Sequence, residues 1–562
     1  MSEIDEELLS SIFEVRAEFL SKKELTQWTA TTLRDKAILS RLKGPGAKLL
    51  IGPRGSGKST LLRQSYFEMH EEGKDLAVYV NYSRSLALEP LFHRAANALQ
   101  IFRQWVLTKI VLGVRDAVQE DKRQLPNSLA KWVQPGQSFV HDLESGKDPS
   151  LPDNFLTPSQ LLGLLEGWVE SLGRRRCVLL LDDAAHAFSP DQQREFFEIF
   201  RELRSRVVSA KAAVYPGITS YSPNFHVGHE AEVVEAWYRP EEEDYLGTMR
   251  EMVERRLPDS YKTRLRGRTD LVDYLALASF GLPRGFLVML SQLLGVEEDG
   301  DQAPTRAKAE RAVSDHVASV RNIFKALSSK LPRYKNFVTT GEELETAIAR
   351  AVQNYNAERP LNKKAVTVAF PEPFPPELSR MLSMLEYAGL LRKSDAVSRG
   401  VKGVFHRYTV HYGLLIEANA LNLGRSFSLS DVTTSLVERD SHAFVRTQVH
   451  RLLGSGYEER CTLDLVPCQN CGAPRLSEEA QFCMKCGRPL QSASIYADLL
   501  RTPIDQLPLT SKKLAGLKKF TSIRTVNDVL LDEENIEIRA VPGVGPIWAA
   551  RIRRYAEEFV SV

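Results

Sequence analysis

A run of eight residues, Gly52-Pro53-Arg54-Gly55-Ser56-Gly57-Lys58-Ser59, combines glycines, a lysine and a hydroxyl group at a spacing suited to phosphate. The run fits the pattern GxxxxGK[ST] at every fixed position. Glycines let backbone N–H groups point inward around a phosphate, and a helix that begins here adds the positive end of its dipole. Lys58 would contact the β- and γ-phosphates, and the Ser59 hydroxyl would be a ligand of Mg²⁺. With Thr60, these residues predict a nucleotide-binding site.

Two acidic residues follow the apolar run of residues 177–181, which predicts a buried parallel strand. Asp182 and Asp183 end this strand, as in a Walker B motif. We expect Asp182 to hold Mg²⁺ through water and Asp183 to polarise the attacking water as the catalytic base. No guanine-reading NKxD motif follows the strand, so ATP is predicted rather than GTP.

Cysteines form two matched Cys-x-x-Cys pairs separated by eleven residues, and their members are Cys468, Cys471, Cys483 and Cys486. A glycine follows each pair, which suits the tight turns around a tetrahedral Zn²⁺. The spacing predicts a zinc ribbon that acts as a structural staple. A redox dithiol is the alternative, and the presence of two matched pairs argues against it. The extra Cys461 is not expected to be a ligand.

A glycine-containing turn, Val541-Pro542-Gly543-Val544-Gly545-Pro546, lies between two helical segments near the end of the sequence. It resembles a helix-hairpin-helix, in which Gly543 and Gly545 let backbone amides approach a DNA phosphate. The following helix carries basic side chains at Arg551, Arg553 and Arg554. Double-stranded DNA is therefore the predicted ligand, and a protein-interaction module is the alternative.

Strand-like and helical segments alternate over residues 48–218, which is typical of a parallel α/β sheet. After residue 240 the pattern is mainly helical, and residues 376–411 look like the helix and wing of a winged-helix domain, with Arg399, Lys402 and Arg407 on the wing. The predicted organisation is an N-terminal helical segment (1–47), a P-loop ATPase core (48–239) with an insertion of low order at about 113–156, a helical lid (240–300), a winged-helix domain (301–430), a connector with the zinc ribbon (431–492) and a small all-α helix-hairpin-helix domain (493–562).

Composition restricts the remaining possibilities. The apolar share of 43% and the charged share of 26% are ordinary for a globular protein and exclude a disordered or fibrous chain. The formal net charge of +2 excludes a strongly positive electrostatic potential over the whole protein that would attract polyanions. Contact with nucleic acid therefore requires local basic patches. No apolar run approaches the roughly 20 residues that span a bilayer, and we expect a cytoplasmic protein without a membrane partner.

In the order of these elements, residues 33–425 resemble the AAA+ superfamily and, within it, the origin-recognition (replication-initiator) ATPases. The run Gly281-Leu282-Pro283-Arg284-Gly285 resembles the second sensor motif of the family's helical lid. The resemblance implies that Arg284 contacts the γ-phosphate, that Thr219 or Ser220 is a first sensor, and that Asn81 restrains the catalytic acid. It also implies ATP hydrolysis, DNA contact and a homo-oligomer.

Two departures from the family's pattern leave a second interpretation open. The acidic pair is Asp-Asp rather than Asp-Glu, and no arginine lies between Arg206 and Arg239, where the family often places its arginine finger. Both favour a switch resembling the STAND signalling NTPases, in which C-terminal modules bind an effector protein. The principal interpretation is an ATP-dependent DNA-binding ATPase that loads on or remodels DNA or recruits a partner there. By analogy alone, it would act in a prokaryotic defence or mobile-element system.

Overall fold

The computed structural model describes most of the chain. The described residues are 12–13, 16–83, 88, 97–145, 147, 155–183, 190–295, 303–398, 403–424, 426–437, 442–475, 480, 482–490, 495–509 and 511–560.

A parallel sheet forms the centre of the first half of the chain. Its strands are β1 (Lys48–Ile51), β2 (Leu76–Asn81), β3 (Cys177–Asp182), β4 (Val208–Val214) and β5 (Glu232–Glu235). They lie in the order β2-β3-β4-β1-β5, and every neighbouring pair is parallel. Strands β3 and β4 are buried along their whole length, as in a sheet covered on both faces. The α/β fold class predicted from the sequence is confirmed.

Helices surround this sheet and begin at recognisable signals. Thr32 and Thr157 each cap a helix with a reciprocal hydrogen bond from the third helical residue, which satisfies N–H groups that a helix leaves unpaired. The helices are α1 (Lys22–Trp28), α2 (Leu33–Lys43), α3 (Lys58–Glu72), α4 (Ala98–Glu120), α5 (Asn127–Glu144), α6 (Pro158–Ser171) and α7 (Pro190–Glu202). A short 3₁₀ helix, Ala17–Phe19, precedes α1.

The expectation of low order at 113–156 is wrong for much of this segment. Helix α4 continues through Gly113 to Glu120, and α5 packs against it. Gly136 of α5 allows the close approach, because a Cβ there would lie 2.6 Å from the Thr108 side chain. Pro135 and the polar residues suggested a loop, but the buried face of α5 supplies the tertiary packing on which most helices depend. Residues 146 and 148–154 lie outside the described part of the chain.

A group of helices follows the parallel sheet. They are α8 (Tyr245–Arg256), α9 (Asp259–Leu265), α10 (Thr269–Ala278), α11 (Pro283–Leu293), α12 (Arg306–Lys330) and α13 (Lys335–Asn356). Helices α10 and α11 are separate, because Phe280 and Gly281 between them adopt positive φ angles of 55° and 76°. A Cβ on Gly281 would lie 2.0 Å from the Tyr238 carbonyl oxygen, so this break requires glycine. The break places Arg284 in the first turn of α11.

A second sheet combines antiparallel strands with one parallel pair. Its strands are β6 (Thr367–Pro371), β7 (Leu391–Lys393), β8 (Val397–Ser398), β9 (Val404–Val410) and β10 (Val445–Arg446). Strands β6, β7 and β8 each pair with β9, and β10 pairs with β6. Helix α14 (Pro376–Ala388) precedes β7, so the helix and antiparallel strands expected for 376–411 are present. Their core is continuous with that of helices α8–α13.

The last part of the chain is helical. Its elements are α15 (Tyr412–Glu417), α16 (Leu429–Val437), α17 (Val449–Leu453), α18 (Tyr457–Arg460), α19 (Ile495–Arg501), α20 (Ser511–Phe520), α21 (Val526–Leu531), α22 (Ile536–Arg539) and α23 (Pro546–Val560). Further 3₁₀ turns are Pro332–Tyr334, Leu361–Lys363, Ile504–Gln506 and Glu533–Asn535. Helices α19 and α21–α23 share a small apolar core of their own. Within the described ranges, no helix is long and apolar enough to cross a bilayer.

The crossing of α4 over β2 yields a prediction about stability. At Gly113 a Cβ would lie 2.8 Å from the Tyr79 carbonyl oxygen, a backbone atom that cannot move aside cheaply. We expect Gly113→Ala to lower the apparent free energy of unfolding by about 1–3 kcal/mol. Gly163→Ala on α6 is the matched control, because its Cβ would meet open space. Urea denaturation followed by tryptophan fluorescence measures both, and equal midpoints for the two variants would contradict the packing described.

Candidate nucleotide-binding site

The loop from Gly52 to Ser59 connects β1 to α3. Gly55 and Gly57 have φ angles of +79° and +93°, a backbone region in which L side chains are strained. A Cβ on Gly52 would lie 2.5 Å from the Ser56 hydroxyl oxygen, so a larger residue here would displace that hydroxyl. The Ser56 hydroxyl is buried and has no hydrogen-bond partner among the described residues. A glycine cradle with an unsatisfied buried donor at the start of a helix fits a phosphate group.

Lys58 lies at the centre of this loop. Its Nζ donates hydrogen bonds to the carbonyl oxygens of Gly52 at 2.7 Å and Pro53 at 3.1 Å. It also lies 3.8 Å from the centre of the Tyr215 ring. Burial lowers the pKa of Lys58 to about 7, although Asp182 and Asp183 oppose this shift. A phosphate beside Lys58 would favour its charged form, because opposite charges at this range stabilise each other.

Asp182 ends β3 beside the loop. Its carboxylate accepts hydrogen bonds from the Tyr79 hydroxyl at 2.7 Å and from Ser59. Burial, together with the neighbouring charge of Asp183, raises the pKa of Asp182 to about 7. A carboxylate next to the hydroxyl of the loop serine is an oxygen donor set of the kind that Mg²⁺ prefers, so these residues fit the metal predicted from the sequence.

Asp183 adopts the left-handed backbone conformation, with a φ of 51°. Such a residue costs of order 1–3 kcal/mol and persists where its surroundings determine it. Its carboxylate accepts a hydrogen bond from the Tyr215 hydroxyl at 3.1 Å. The strained turn and this hydrogen bond together fix the direction of the second acid.

Tyr215 was missed by the sequence analysis, although it directly follows β4. The residues proposed for sensor roles make other hydrogen bonds. Thr219 donates to the Tyr215 carbonyl oxygen at 2.8 Å, the Ser220 amide donates to Gln193, and Asn81 accepts from the Ser83 amide at 2.7 Å. A tyrosine after a buried strand carries no special sequence signal. Only the fold reveals that Tyr215 contacts both Asp183 and Lys58.

Arg284 brings helix α11 against the loop. Its amide donates to the Gly55 carbonyl oxygen at 3.4 Å, and a Cβ on Gly55 would lie 2.9 Å from the Arg284 Cβ. Among the described residues, its Nε is a buried donor without a partner. Its Nη1 donates to Glu558 at 2.7 Å. Arg284 therefore lies beside the glycine-rich loop, its role as a second sensor stays a prediction, and its acidic partner was not expected.

Two further arginines contact the same acid. Arg54, within the loop, lies 3.3 Å from the Glu558 carboxylate, and Arg16 lies 3.2 Å from its other oxygen. Burial alone would raise the pKa of Glu558, but the guanidinium groups of Arg284, Arg54 and Arg16 outweigh it and hold this pKa well below its usual range. The carboxylate is therefore ionised at neutral pH and neutralises part of the positive charge around the loop.

The four predicted cysteine ligands come together elsewhere in the chain. The Sγ atoms of Cys468 and Cys486 are 3.6 Å apart, as are those of Cys471 and Cys483, and all four lie within 4.8 Å of one another. Tetrahedral coordination with Zn–S bonds of about 2.3 Å requires Sγ atoms about 3.8 Å apart. The donor set and its spacing therefore fit zinc. Cys461 is buried outside this group.

The glycine turn between α22 and α23 is exposed. Gly543 has a φ of +81°, and neither it nor Gly545 has any atom within 4 Å of an added Cβ. The arginines of α23 mostly contact their own chain. Arg551 lies over the Trp548 ring, and Arg554 lies 4.2 Å from the centre of the Phe19 ring. Arg553 donates hydrogen bonds to the carbonyl oxygens of Asp532 and Leu530. The backbone of the turn, more than these arginines, is open to a ligand.

On the second sheet, Arg407 donates to the Asp395 carbonyl oxygen at 2.9 Å. Arg399 and Lys402, the other residues predicted on the wing, lie outside the described residues. Helix α14 reaches the nucleotide site, since the rings of Tyr387 and Tyr215 have centres 5.7 Å apart. The sheet region and the candidate site are therefore in direct contact.

Comparisons with known proteins add little beyond this geometry. No protein-family model and no curated protein matches the sequence. Among solved structures, the chain is similar to the Aeropyrum pernix ORC1 protein in complex with DNA, with 13% identity, a TM-score of 0.29, and coverage of 73% of this chain and 95% of that one. It is also similar to Drosophila ORC bound to poly(dA/dT) DNA and Cdc6, with 12% identity, a TM-score of 0.29, and coverage of 68% and 60%. Likeness this distant carries no argument about function.

Proposed function

We propose that this chain binds Mg·ATP in the Gly52–Ser59 loop, hydrolyses it, and couples this cycle to double-stranded DNA. The observation that carries the proposal is the joint placement of Lys58 in a glycine cradle and of the Ser59–Asp182 pair beside it. Phosphate-binding donors and an oxygen donor set for Mg²⁺ are the two parts that phosphoryl transfer requires. Both are present within one contiguous site.

The residues around this site have distinct roles in the proposed reaction. Mg²⁺, when bound, neutralises charge on the phosphate oxygens. Lys58, freed from the carbonyl oxygens it now contacts, would pair with the β- and γ-phosphates. Asp183 would accept a hydrogen bond from the attacking water in the orientation that Tyr215 fixes. Arg284, whose amide donates to the Gly55 carbonyl oxygen, would contact the terminal phosphate.

The DNA-binding part of the proposal depends on the turn at Gly543 and Gly545. Its exposed backbone, at the first turn of α23, suits the close approach of a duplex phosphate. Such contact is independent of base sequence, in keeping with loading on DNA or recruiting a partner there. A homo-oligomer stays a prediction that rests on the family resemblance.

A second candidate is a slow nucleotide switch whose C-terminal modules bind a protein. The observation that favours it is that Asp183 and Arg284 are both held by side chains of the same chain, Tyr215 and Glu558. Hydrolysis would then wait until these contacts break. Measurement of turnover with and without DNA separates the two candidates.

The Walker lysine supplies the test of the proposed ATPase. We expect Lys58→Ala to lower ATP turnover at least about 100-fold, because it removes the positive charge that meets the terminal phosphates. Lys36→Ala on the exposed face of α2 is the matched control and should keep wild-type turnover. Phosphate release is measured with and without duplex DNA. Tightly held nucleotide with negligible turnover, unchanged by DNA, would reject the DNA-coupled ATPase in favour of the switch.

The exposed turn supplies the test of DNA binding. Gly545→Val places a side chain in the open space where a phosphate would approach, without a positive φ to oppose it. We expect duplex affinity to fall at least about 10-fold, the effect of losing one charge-assisted hydrogen bond. Gly163→Val on α6 is the control, because it makes the same substitution at an open position away from the turn. Fluorescence anisotropy at fixed salt measures both, and equal affinities would assign the turn to another partner.

The cysteine group is proposed to hold one structural zinc ion. Because all four thiolates would be ligands, we expect Cys483→Ser to remove zinc and Cys461→Ser to retain it. Elemental analysis of the purified chains gives the stoichiometry, expected near one per chain for the wild type. Chelation of the wild type should also lower the midpoint of its first thermal transition. Equal zinc content in the two variants would contradict this assignment.

A further inference from the structure

The C-terminal end of α23 enters the candidate nucleotide site. Glu558 lies near the end of this helix, and both of its carboxylate oxygens contact arginines of other elements. Oε1 contacts Arg284 at 2.7 Å and Arg54 at 3.3 Å, and Oε2 contacts Arg16 at 3.2 Å. The carboxylate is thus held by a residue of the phosphate loop and by the arginine that the resemblance assigns to the terminal phosphate.

Neighbouring contacts show that this insertion is a packed interface. Phe559 is 9% exposed, and the Lys330 ammonium lies 5.2 Å from the centre of its ring. One turn earlier, Arg554 lies over Phe19. That N-terminal segment is tied to α3, since Arg63 donates to the Ala17 carbonyl oxygen. The end of α23 therefore packs against several elements that surround the loop.

We propose that Glu558 is an internal competitor of the nucleotide's terminal phosphate, so that binding of the nucleotide and docking of the end of α23 oppose each other. The inference rests on the nucleotide-binding function proposed above. A carboxylate held by a fork of arginines has the charge and hydrogen-bonding pattern of a phosphate oxygen pair. A phosphate that takes the Arg284 Nη1 and Arg54 Nη2 donors now on Glu558 must displace this carboxylate.

The competition has a structural consequence at the other end of the helix. The turn that carries Gly543 and Gly545 precedes α23 directly. Release of Glu558 would remove the ion pairs of α23 with Arg54, Arg284 and Arg16, and the exposed turn would change position with the loosened helix. Nucleotide binding would then control the placement of the module proposed to meet DNA.

The test compares the ATP affinity of the wild type with that of variants in α23. We expect Glu558→Gln to bind ATP about 10-fold more tightly than the wild type, within the range usual for coupled sites. Glu557→Gln is the matched control, because Glu557 pairs with Arg553 on the same helix and makes no ion pair with the loop arginines. Isothermal titration with ATP and Mg²⁺ gives the affinities. Glu558→Ala, as a second variant, should show the same direction if the contact acts through its charge.

Hydrogen exchange supplies an independent readout. Saturating ATP should increase amide exchange over the last turns of α23 in the wild type, and Glu558→Gln should show this increase without nucleotide. Equal affinities for Glu558→Gln and Glu557→Gln, with exchange in α23 unaffected by ATP, would overturn the competition and leave the nucleotide site intact. Absence of ATP binding in every chain would instead overturn the proposed function and the competition together.

Discussion

Positive charge concentrated around one glycine-rich loop is the constraint on which the rest of the structure depends. Lys58, Arg54, Arg284 and Arg16 all lie at or beside this loop, and burial of unpaired cations costs several kcal/mol each. The chain supplies acidic and aromatic partners from distant elements to offset that cost. These partners bring α11, the N-terminal segment and the C-terminal helix to a single point. The loop is therefore the junction of distant elements as well as the candidate site.

Features that depend on local spacing could be predicted from the sequence. The loop conformation follows from its glycines, and the placement of Asp182 follows from a buried strand that ends at the same edge of the parallel sheet as β1, with β4 between them. The cysteines likewise come together because each pair closes its own turn. In each case the residues that determine the geometry are also the residues proposed for the chemistry. A short segment of sequence then contains all the information needed.

Contacts between distant segments could not be predicted in this way. Glu558 is separated from Arg284 by 274 residues and has the sequence signature of any glutamate on an amphipathic helix. Tyr215 has the same ambiguity, because an aromatic residue after a buried strand most often belongs to the core. The helix at Asn127–Glu144 was missed for a related reason. Its stability comes from packing against α4, which local composition does not reveal.

Helix α23 joins two sites through a single rigid element. Glu558 is 13 residues after Gly545, so at about 1.5 Å per residue roughly 20 Å separate the exposed glycine turn from the arginine-held residue. Free-energy coupling between two such ends is reciprocal. If nucleotide shifts the position of the turn, a duplex that captures the turn must change nucleotide affinity by the same factor. Binding of DNA at the turn would then change the lifetime of the nucleotide bound at the loop, before any phosphate bond is broken.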